Sequence, residues 1–464
     1  MSLKIKPKPI DPRISRPLMK HQEDILDYLN GRASIRRGGA LYVEMRLGKT
    51  LSMIEFAKFK FKRILVIAPL VVCKTWELEL KTDGEFEVSN IGGIPKQKKI
   101  KALQSTKAKW TIINYESARI VDIHQYFDNN TCIILDESIA IANPMSQVAK
   151  YFLNNKYWPQ WSKYVLCGNP APEGNHQYVT QGLFYNGKFL DAFDPWRFRS
   201  KYYDAYGHDW CPKPGVFKQM YDEVHEKSFV LTRTQAGIGS KKMYQSRYIK
   251  MTSKQRAAYN QMLTEFEVDN VETSYIPVQM LYLSRIAGGM KLIDPDKPNE
   301  PVEWYSLEKF NEVIKLLRGE LKGQQVLLWF RFREELYKME SMLREVGITF
   351  CSIHGSVKNN KREELRLDFM KGKFQCSLMT VSTAKRGLDF SSADSEIYVS
   401  NDYSSDARTQ SEDRIVHPKK TTPLLVMDIL TEDSIDEQVK NLLDRKGITA
   451  KVFMSDLLKG LGLG

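Results

Sequence analysis

No two of the six cysteines stand in a C-x-x-C pair; they are scattered at Cys73, Cys132, Cys167, Cys211, Cys351 and Cys376. That spacing excludes a disulfide framework and gives no structural zinc site, and four of the six fall in apolar strand-like runs, as buried thiols of a reducing compartment do. Long hydrophobic runs are also missing. The longest apolar stretches, such as 64–73, are far too short to span a bilayer, so no membrane partner is expected. The first residues, MSLKIKPKPIDPRISRP, are basic and proline-rich but have no apolar signal core. From these features a soluble, intracellular protein of the cytoplasm is expected.

What is present is length and positive charge. A chain of 464 residues exceeds one ordinary core, so about two or three domains are expected. A hydrophobic content of 42% lets each be well packed. The net charge of +13 favours an anionic partner, nucleic acid before others, although a merely basic protein would show the same excess.

The stretch ALYVEMRLGKT, residues 40–50, organises the rest. An apolar run reads as a buried strand, breaks at Leu47-Gly48, and gives way to a helical pattern over 51–61. A strand, a tight turn with Gly-Lys-Thr and a helix start form a phosphate cradle. Turn amides and the helix N-terminus face the anion, Lys49 adds positive charge, and the Thr50 hydroxyl can ligate Mg²⁺. Met45, Arg46, Leu47 and Gly48 form the turn. The first glycine usual in such a loop is absent, and Arg46 stands where a small residue is common. Taken alone, the window also fits a helix N-terminus with a surface lysine.

From residue 63 onward strands and helices alternate: RILVIAP (63–69), WTIINY (110–115), TCIILD (131–136) and YVLCGNP (164–170) read as buried strands. This rhythm predicts an α/β fold, a parallel sheet with helices on both faces and ligands at the carboxyl ends of its strands. The third of these strands ends in Asp136-Glu137. The first acid can hold Mg²⁺ and the second can deprotonate the water attacking a terminal phosphate. Residues 171–230 lose the rhythm and become aromatic and charged, as in a helical insertion that touches nucleic acid or covers an aromatic mini-core. A loop-rich, helical stretch to residue 304 reads as a connection. A second alternating region follows, with QVLLWF (325–330), ITFCSI (348–353) and a strand at 375–381, but no Gly-Lys-Thr. The expected division is an arm (1–16), a first lobe (17–240, with the insertion at about 171–230), a helical linker (241–304) and a second lobe (305–464). Such a pair suggests a cleft that closes on a nucleotide, with Arg414 as an arginine finger.

In order, these segments resemble the SNF2-like branch of superfamily 2 helicases and translocases. PLMKHQEDILDYL resembles the glutamine motif, with Gln22 toward adenine; GGALYVEMRLGKT resembles motif I, VIAPLVVCKTWELEL motif Ia with its tryptophan, TIINYES motif Ib, ILDESIAIANPMSQ the DE-x-H box and LCGNPAPEG motif III. LTRTQAG and MTSKQRAAY are similar to the SNF2 link, LLWFRF to motif IV, SIHGSVKNNKREELRLDF to the following stretch, STAKRGLDFSSAD to motif V and TQSEDRIVHPKK to motif VI. Departures are Arg46, Ile139 in place of the box histidine, Ala142 for a lysine, Asn169 for a threonine, and His417 at the second arginine of motif VI.

The resemblance implies two tandem RecA-like lobes and a DNA-dependent ATPase using ATP and Mg²⁺. Lys49, Asp136, Glu137 and Arg414 would be catalytic, with Thr50 and Asp136 at the metal. Gln22, residues 45–50, Gly387, Asp389 and Gln410 would hold the nucleotide. Asn114, Tyr115, His354, Gly355, Ser382, Thr383 and Lys385 would meet DNA, whether duplex, forked or branched. The lack of a chromatin-reading module is similar to compact phage and mobile-element versions, which would place it in the host-cell cytoplasm. An RNA helicase, or a nucleotide-switched DNA binder with little or no turnover, stays open.

Overall fold

The computed structural model describes residues 16–33, 38–128, 130–154, 157–158, 161–172, 174–206, 209–269, 271–273, 275–292, 302–381, 383, 389–417 and 420–444. The chain divides into two compact units, Met1–Gly237 and Ile238–Gly464. The expected N-terminal arm lies almost wholly outside the described residues.

In the first unit the strands are β1 (Gly38–Val43), β2 (Ile64–Ala68), β3 (Val88–Asn90), β4 (Trp110–Asn114), β5 (Cys132–Asp136), β6 (Ser162–Cys167), β7 (Tyr203–Tyr206), β8 (Asp209–Pro212) and β9 (Phe229–Leu231). Its helices are α1 (Lys20–Tyr28), α2 (Lys49–Lys60), α3 (Leu70–Thr82), α4 (Lys96–Ser105), α5 (Tyr115–Ile120), α6 (Gln147–Phe152), α7 (Gln177–Asn186), α8 (Pro195–Tyr202) and α9 (Val216–Lys227). Among the described residues, seven strands pair in parallel in the order β3-β4-β2-β5-β6-β1-β9. Strands β1, β2, β4 and β5 are buried along their whole length, which is why they read as continuous apolar runs rather than alternating ones.

The segment expected as a helical insertion over 171–230 is not uniform. Helix α7 belongs to the layer on the sheet: a Cβ at Gly38 would lie 2.3 Å from the Tyr185 carbonyl oxygen, so only glycine allows that approach. Beyond it the segment is not purely helical, because β7 and β8 pair as an antiparallel hairpin between α8 and α9.

The second unit holds β10 (Lys242–Ile249), a small antiparallel pair β11 (Glu267–Val268) and β12 (Val271–Glu272), β13 (Val326–Phe330), β14 (Phe350–Ile353), β15 (Cys376–Thr380), β16 (Ser395–Tyr398) and β17 (Leu424–Thr431). Its helices are α10 (Ser253–Thr264), α11 (Ile276–Ala287), α12 (Glu308–Arg318), α13 (Arg333–Glu345), α14 (Asn359–Met370), α15 (Ser405–Glu412) and α16 (Ile435–Asp444). Among the described residues the main sheet is parallel, in the order β10-β17-β16-β13-β15-β14. The expected linker over 241–304 is therefore part of this unit. Strand β10 pairs with β17 over eight residues, and α10 and α11 pack with α16 in one apolar cluster. Strand β10 is an edge strand with Met243, Tyr244 and Tyr248 exposed, so it lacks the apolar run that marks a central strand. No helix among the described residues is long and apolar enough to cross a membrane.

Candidate nucleotide site of the first unit

Strand order decides what meets at the carboxyl edge of the first sheet. The β1 turn carries Gly-Lys-Thr, β5 ends in Asp136, and β6 runs between them, with Tyr42 level with Cys167 and Asp136 level with Leu166. The residue after β6 is Gly168. A Cβ there would lie 3.0 Å from Met45 Cγ and 3.4 Å from Lys49 Nζ, so the bare glycine keeps the floor between the turn and the acids low.

Lys49 opens α2, and its ammonium donates to the carbonyl oxygens of Val43 (2.5 Å) and Glu44 (3.2 Å). Thr50 follows in the first turn of α2, where free backbone amides favour anions. Gly48 caps the helix in the left-handed region at φ 75°, with the Gln22 amide resting on its α-carbon; a Cβ there would lie 1.9 Å from Gln22 Nε2. Arg46 also has a positive φ, 69°, a conformation that costs a non-glycine residue about 1 kcal/mol or more. This accounts for a small residue being common at that place. Gln22 Oε1 accepts from the Met19 amide, and His21 Nε2 lies 3.0 Å from the Leu47 carbonyl oxygen. Helix α1 thus touches both sides of the turn, and the His21 contact has no signal in the sequence.

Asp136 is 5% exposed. Its carboxylate accepts from Trp76 Nε1 at 2.7 Å and from the Glu137 amide at 3.0 Å. Burial raises its pKa, opposed by the Trp76 bond, the positive charge of Lys49 and the Glu137 amide. Glu137 turns the chain at φ 50°, and Cys167 Sγ lies 3.8 Å from its Oε2. Ser138 donates to Gln181 Oε1 at 2.6 Å, and Gln181 Nε2 donates to the Pro170 carbonyl, which ties the acidic turn to the end of β6. On the other side of the cradle Glu44 receives the Arg233 guanidinium at 3.1 Å and its backbone amide at 2.9 Å. The Asp136 carboxylate, which lies within electrostatic reach of Lys49, and the Thr50 hydroxyl are oxygen donors of the kind a hard cation such as Mg²⁺ takes.

The remaining predicted residues fall in two groups. Three of the expected DNA contacts have buried side chains. Tyr115 is a core residue whose hydroxyl donates to the Asp136 carbonyl oxygen at 2.8 Å, and Thr383 bonds the Thr380 carbonyl oxygen at 2.6 Å with 4% exposure. Neither side chain is presented to solvent. Asn114 is also nearly buried and donates to Glu116. In the second unit His354 stands half-buried, edge-on to Tyr337, with its pKa lowered by burial, and the Gly355 carbonyl accepts from Arg362. Ser382, Lys385 and Gly387 lie outside the described residues.

Asp389 caps the Ser391 amide, Gln410 donates to Asp406, and the Arg414 backbone carbonyl accepts from Phe390. The helix that precedes Arg414, α15, is held by Arg408, which pairs with both oxygens of Asp428 (2.6 and 3.0 Å), bonds Glu412 and Asn401, and stacks 3.5 Å from the Tyr398 ring centroid. Burial opposes ionisation of Glu412, yet Lys242 and Arg408 hold its carboxyl down at about 2.

A family model described as SNF2-related domain matches residues 21–291, more than half of the chain. The chain belongs to the SNF2-related family. A second model, helicase conserved C-terminal domain, matches 308–419. SNF2-family relatives include the SWI/SNF chromatin-remodeling complex subunit snf22 of Schizosaccharomyces pombe, 23% identical over 86% of this chain and 26% of that protein. The ISWI chromatin-remodeling complex ATPase ISW1 of Saccharomyces cerevisiae is 24% identical over 86% of this chain and 37% of its own length. The chain thus spans 26% and 37% of the length of these curated relatives. A solved structure, the Sulfolobus solfataricus SWI2/SNF2 ATPase core in complex with dsDNA, aligns over 97% of this chain and 96% of its own, with 18% identity and a TM-score of 0.45.

Proposed function

We propose that this SNF2-family chain is a DNA-dependent ATPase that converts ATP hydrolysis into movement on duplex, forked or branched DNA. The observation that carries the reading is the meeting of Lys49, Gly168 and Asp136-Glu137 at the carboxyl edge of one parallel sheet. The turn amides and the start of α2 cradle the phosphates, and Lys49 exchanges its two carbonyl partners for phosphate oxygens. Thr50 and Asp136 would hold Mg²⁺, which supplies charge neutralisation on the phosphates when bound. Trp76 keeps the Asp136 carboxylate oriented. Glu137 accepts a proton from the attacking water. Gln22 seats the adenine side of the nucleotide, and Arg414 is assigned the positive charge that the transition state needs. The net charge of +13 supports a polyanionic track, gripped through its backbone and therefore sensitive to salt. A phage or mobile-element source and a cytoplasmic location belong to this proposal too.

The test is phosphate release from ATP with blunt, forked and single-stranded DNA, and with RNA, for the wild type beside Glu137→Gln. Stimulation by duplex or forks, lowered roughly 10²–10⁴-fold in the variant with ATP still bound, supports the motor. Absence of turnover in the wild type despite ATP binding would make the chain a nucleotide-switched binder, and stimulation by RNA alone would make it an RNA helicase.

A further inference from the structure

Two of the eight tryptophans are exposed. Trp76, Trp110, Trp158, Trp161 and Trp329 are buried and Trp304 is half-buried, whereas Trp196 is 56% and Trp210 38% exposed. Both exposed indoles sit on the α8–hairpin element, and the packing there turns them outward. Asp194 caps α8 by accepting from the Trp196 and Arg197 amides, and Pro195 starts the first turn. Phe198 points inward, 3% exposed, against Phe189, Tyr202 and Tyr203. With Phe198 anchored, Trp196 and Arg199 share another face, three residues apart. The Arg199 guanidinium then lies 4.2 Å from the centre of the Trp210 ring on the hairpin. The exposed Trp196 and Trp210 and the half-buried Arg199 thus form a stripe, with Phe193, 60% exposed, just before the helix.

The charges around the stripe are not equivalent. Arg197 pairs with Asp194, Lys201 with Asp191, Lys213 with Asp204 and Lys218 with Asp222. Arg199 has no carboxylate partner among the described residues; its cation rests on an aromatic face instead. An exposed indole backed by an uncommitted guanidinium, with a second indole on the same face, matches what an unpaired nucleotide offers: a flat ring to stack and a phosphate to pair. A protein partner would find the aromatic surface but has less use for the unspent donors of Arg199.

We propose that the Trp196–Arg199–Trp210 stripe is a stacking site for unpaired DNA bases, which gives the chain a preference for forks and single-stranded gaps over blunt duplex. The proposal rests on the DNA-motor reading only for the identity of its partner, and it needs no ATP to be tested. Tryptophan emission and fluorescence anisotropy of the full chain are followed with a short oligothymidine, a forked duplex and a blunt duplex, without nucleotide. Oligothymidine is expected to quench the exposed tryptophans. Trp210→Ala and Trp196→Ala each weaken oligothymidine and fork binding by roughly ten-fold, leaving blunt-duplex binding and duplex-stimulated ATP turnover unchanged. Arg199→Gln removes about one phosphate contact from the salt dependence of single-strand binding. Absent quenching, variants that bind single strands as tightly as the wild type, or an equal loss on blunt duplex with an unchanged melting temperature overturns the stacking site. A wild type without DNA-stimulated turnover, but with quenching that the variants abolish, overturns the motor and leaves the stacking site standing.

Discussion

Trp76→Phe separates the orientation of Asp136 from the bulk of the indole that orients it. The indole N–H donates to a buried carboxylate at 2.7 Å, a bond to a charged group worth about 1.5–3 kcal/mol. Phenylalanine keeps most of the ring volume, so the packing loss is smaller, about 1 kcal/mol. The bond favours the ionised form, so losing it raises the Asp136 pKa further. The sign follows from the direction of the native shift. Burial already holds this pKa above its unfolded value, so the folded state binds the proton more tightly than the unfolded chain. The contribution of Asp136 to stability is therefore fully present below the unfolded pKa and falls as pH rises toward the folded one. Trp76→Phe should destabilise the chain more at pH 7 than at pH 4, the difference being the lost bond to the ionised form. The acid limb of the pH–rate profile for ATP hydrolysis should move to higher pH. Urea denaturation at the two pH values and a rate profile from pH 5 to 8 measure both. An equal loss of stability at both pH values, with an unmoved acid limb, would refute the assignment of Trp76 as a group that favours the ionised form of Asp136.

Gly48→Ala forces a Cβ into a left-handed position and to within 1.9 Å of the Gln22 amide nitrogen. ATP affinity measured by calorimetry should fall at least ten-fold and stability by about 1–3 kcal/mol, with Gln22→Ala restoring only the steric part. Arg408→Met strips Asp428, fully buried, of both its guanidinium bonds, and should cost about 3–5 kcal/mol by denaturant titration. The double replacement Arg408→Met with Asp428→Leu should recover most of that loss; if it does not, the pair is not the reason α15 sits where it does.

The central strands were legible because both their faces are covered. β1, β2, β5 and β13 carry continuous apolar runs that cannot be satisfied anywhere but in a buried parallel sheet, and their order along the chain forces helices between them. The edge strand and the short polar strand were not. β10 leaves Met243, Tyr244 and Tyr248 exposed at the sheet edge, and β16 is an interior strand of four residues carrying Glu396, whose pKa burial lifts to about 8. Polar residues inside a sheet are tolerated only because partners arrive from elsewhere, here Trp329 to Glu396, and nothing in the local pattern announces a partner 67 residues away.

The same division runs through the candidate site. The sequence by itself determined the chemical inventory: a Gly-Lys-Thr turn and an Asp-Glu pair, each at a strand end, where backbone geometry requires them to face one edge. Tertiary structure decided which neighbours complete them. The interleaving of β6 between β5 and β1 makes Gly168 the floor beneath Lys49, and Trp76 reaches Asp136 from α3, which follows the neighbouring strand. Tyr115 shows the converse. Its place after β4 suggested a surface contact, but a residue that follows a strand end can point either way, and the space beside Phe152 and the Asp136 carbonyl turned it inward. Local pattern sets which residues a strand end offers; only the packing of distant segments sets which of them face solvent.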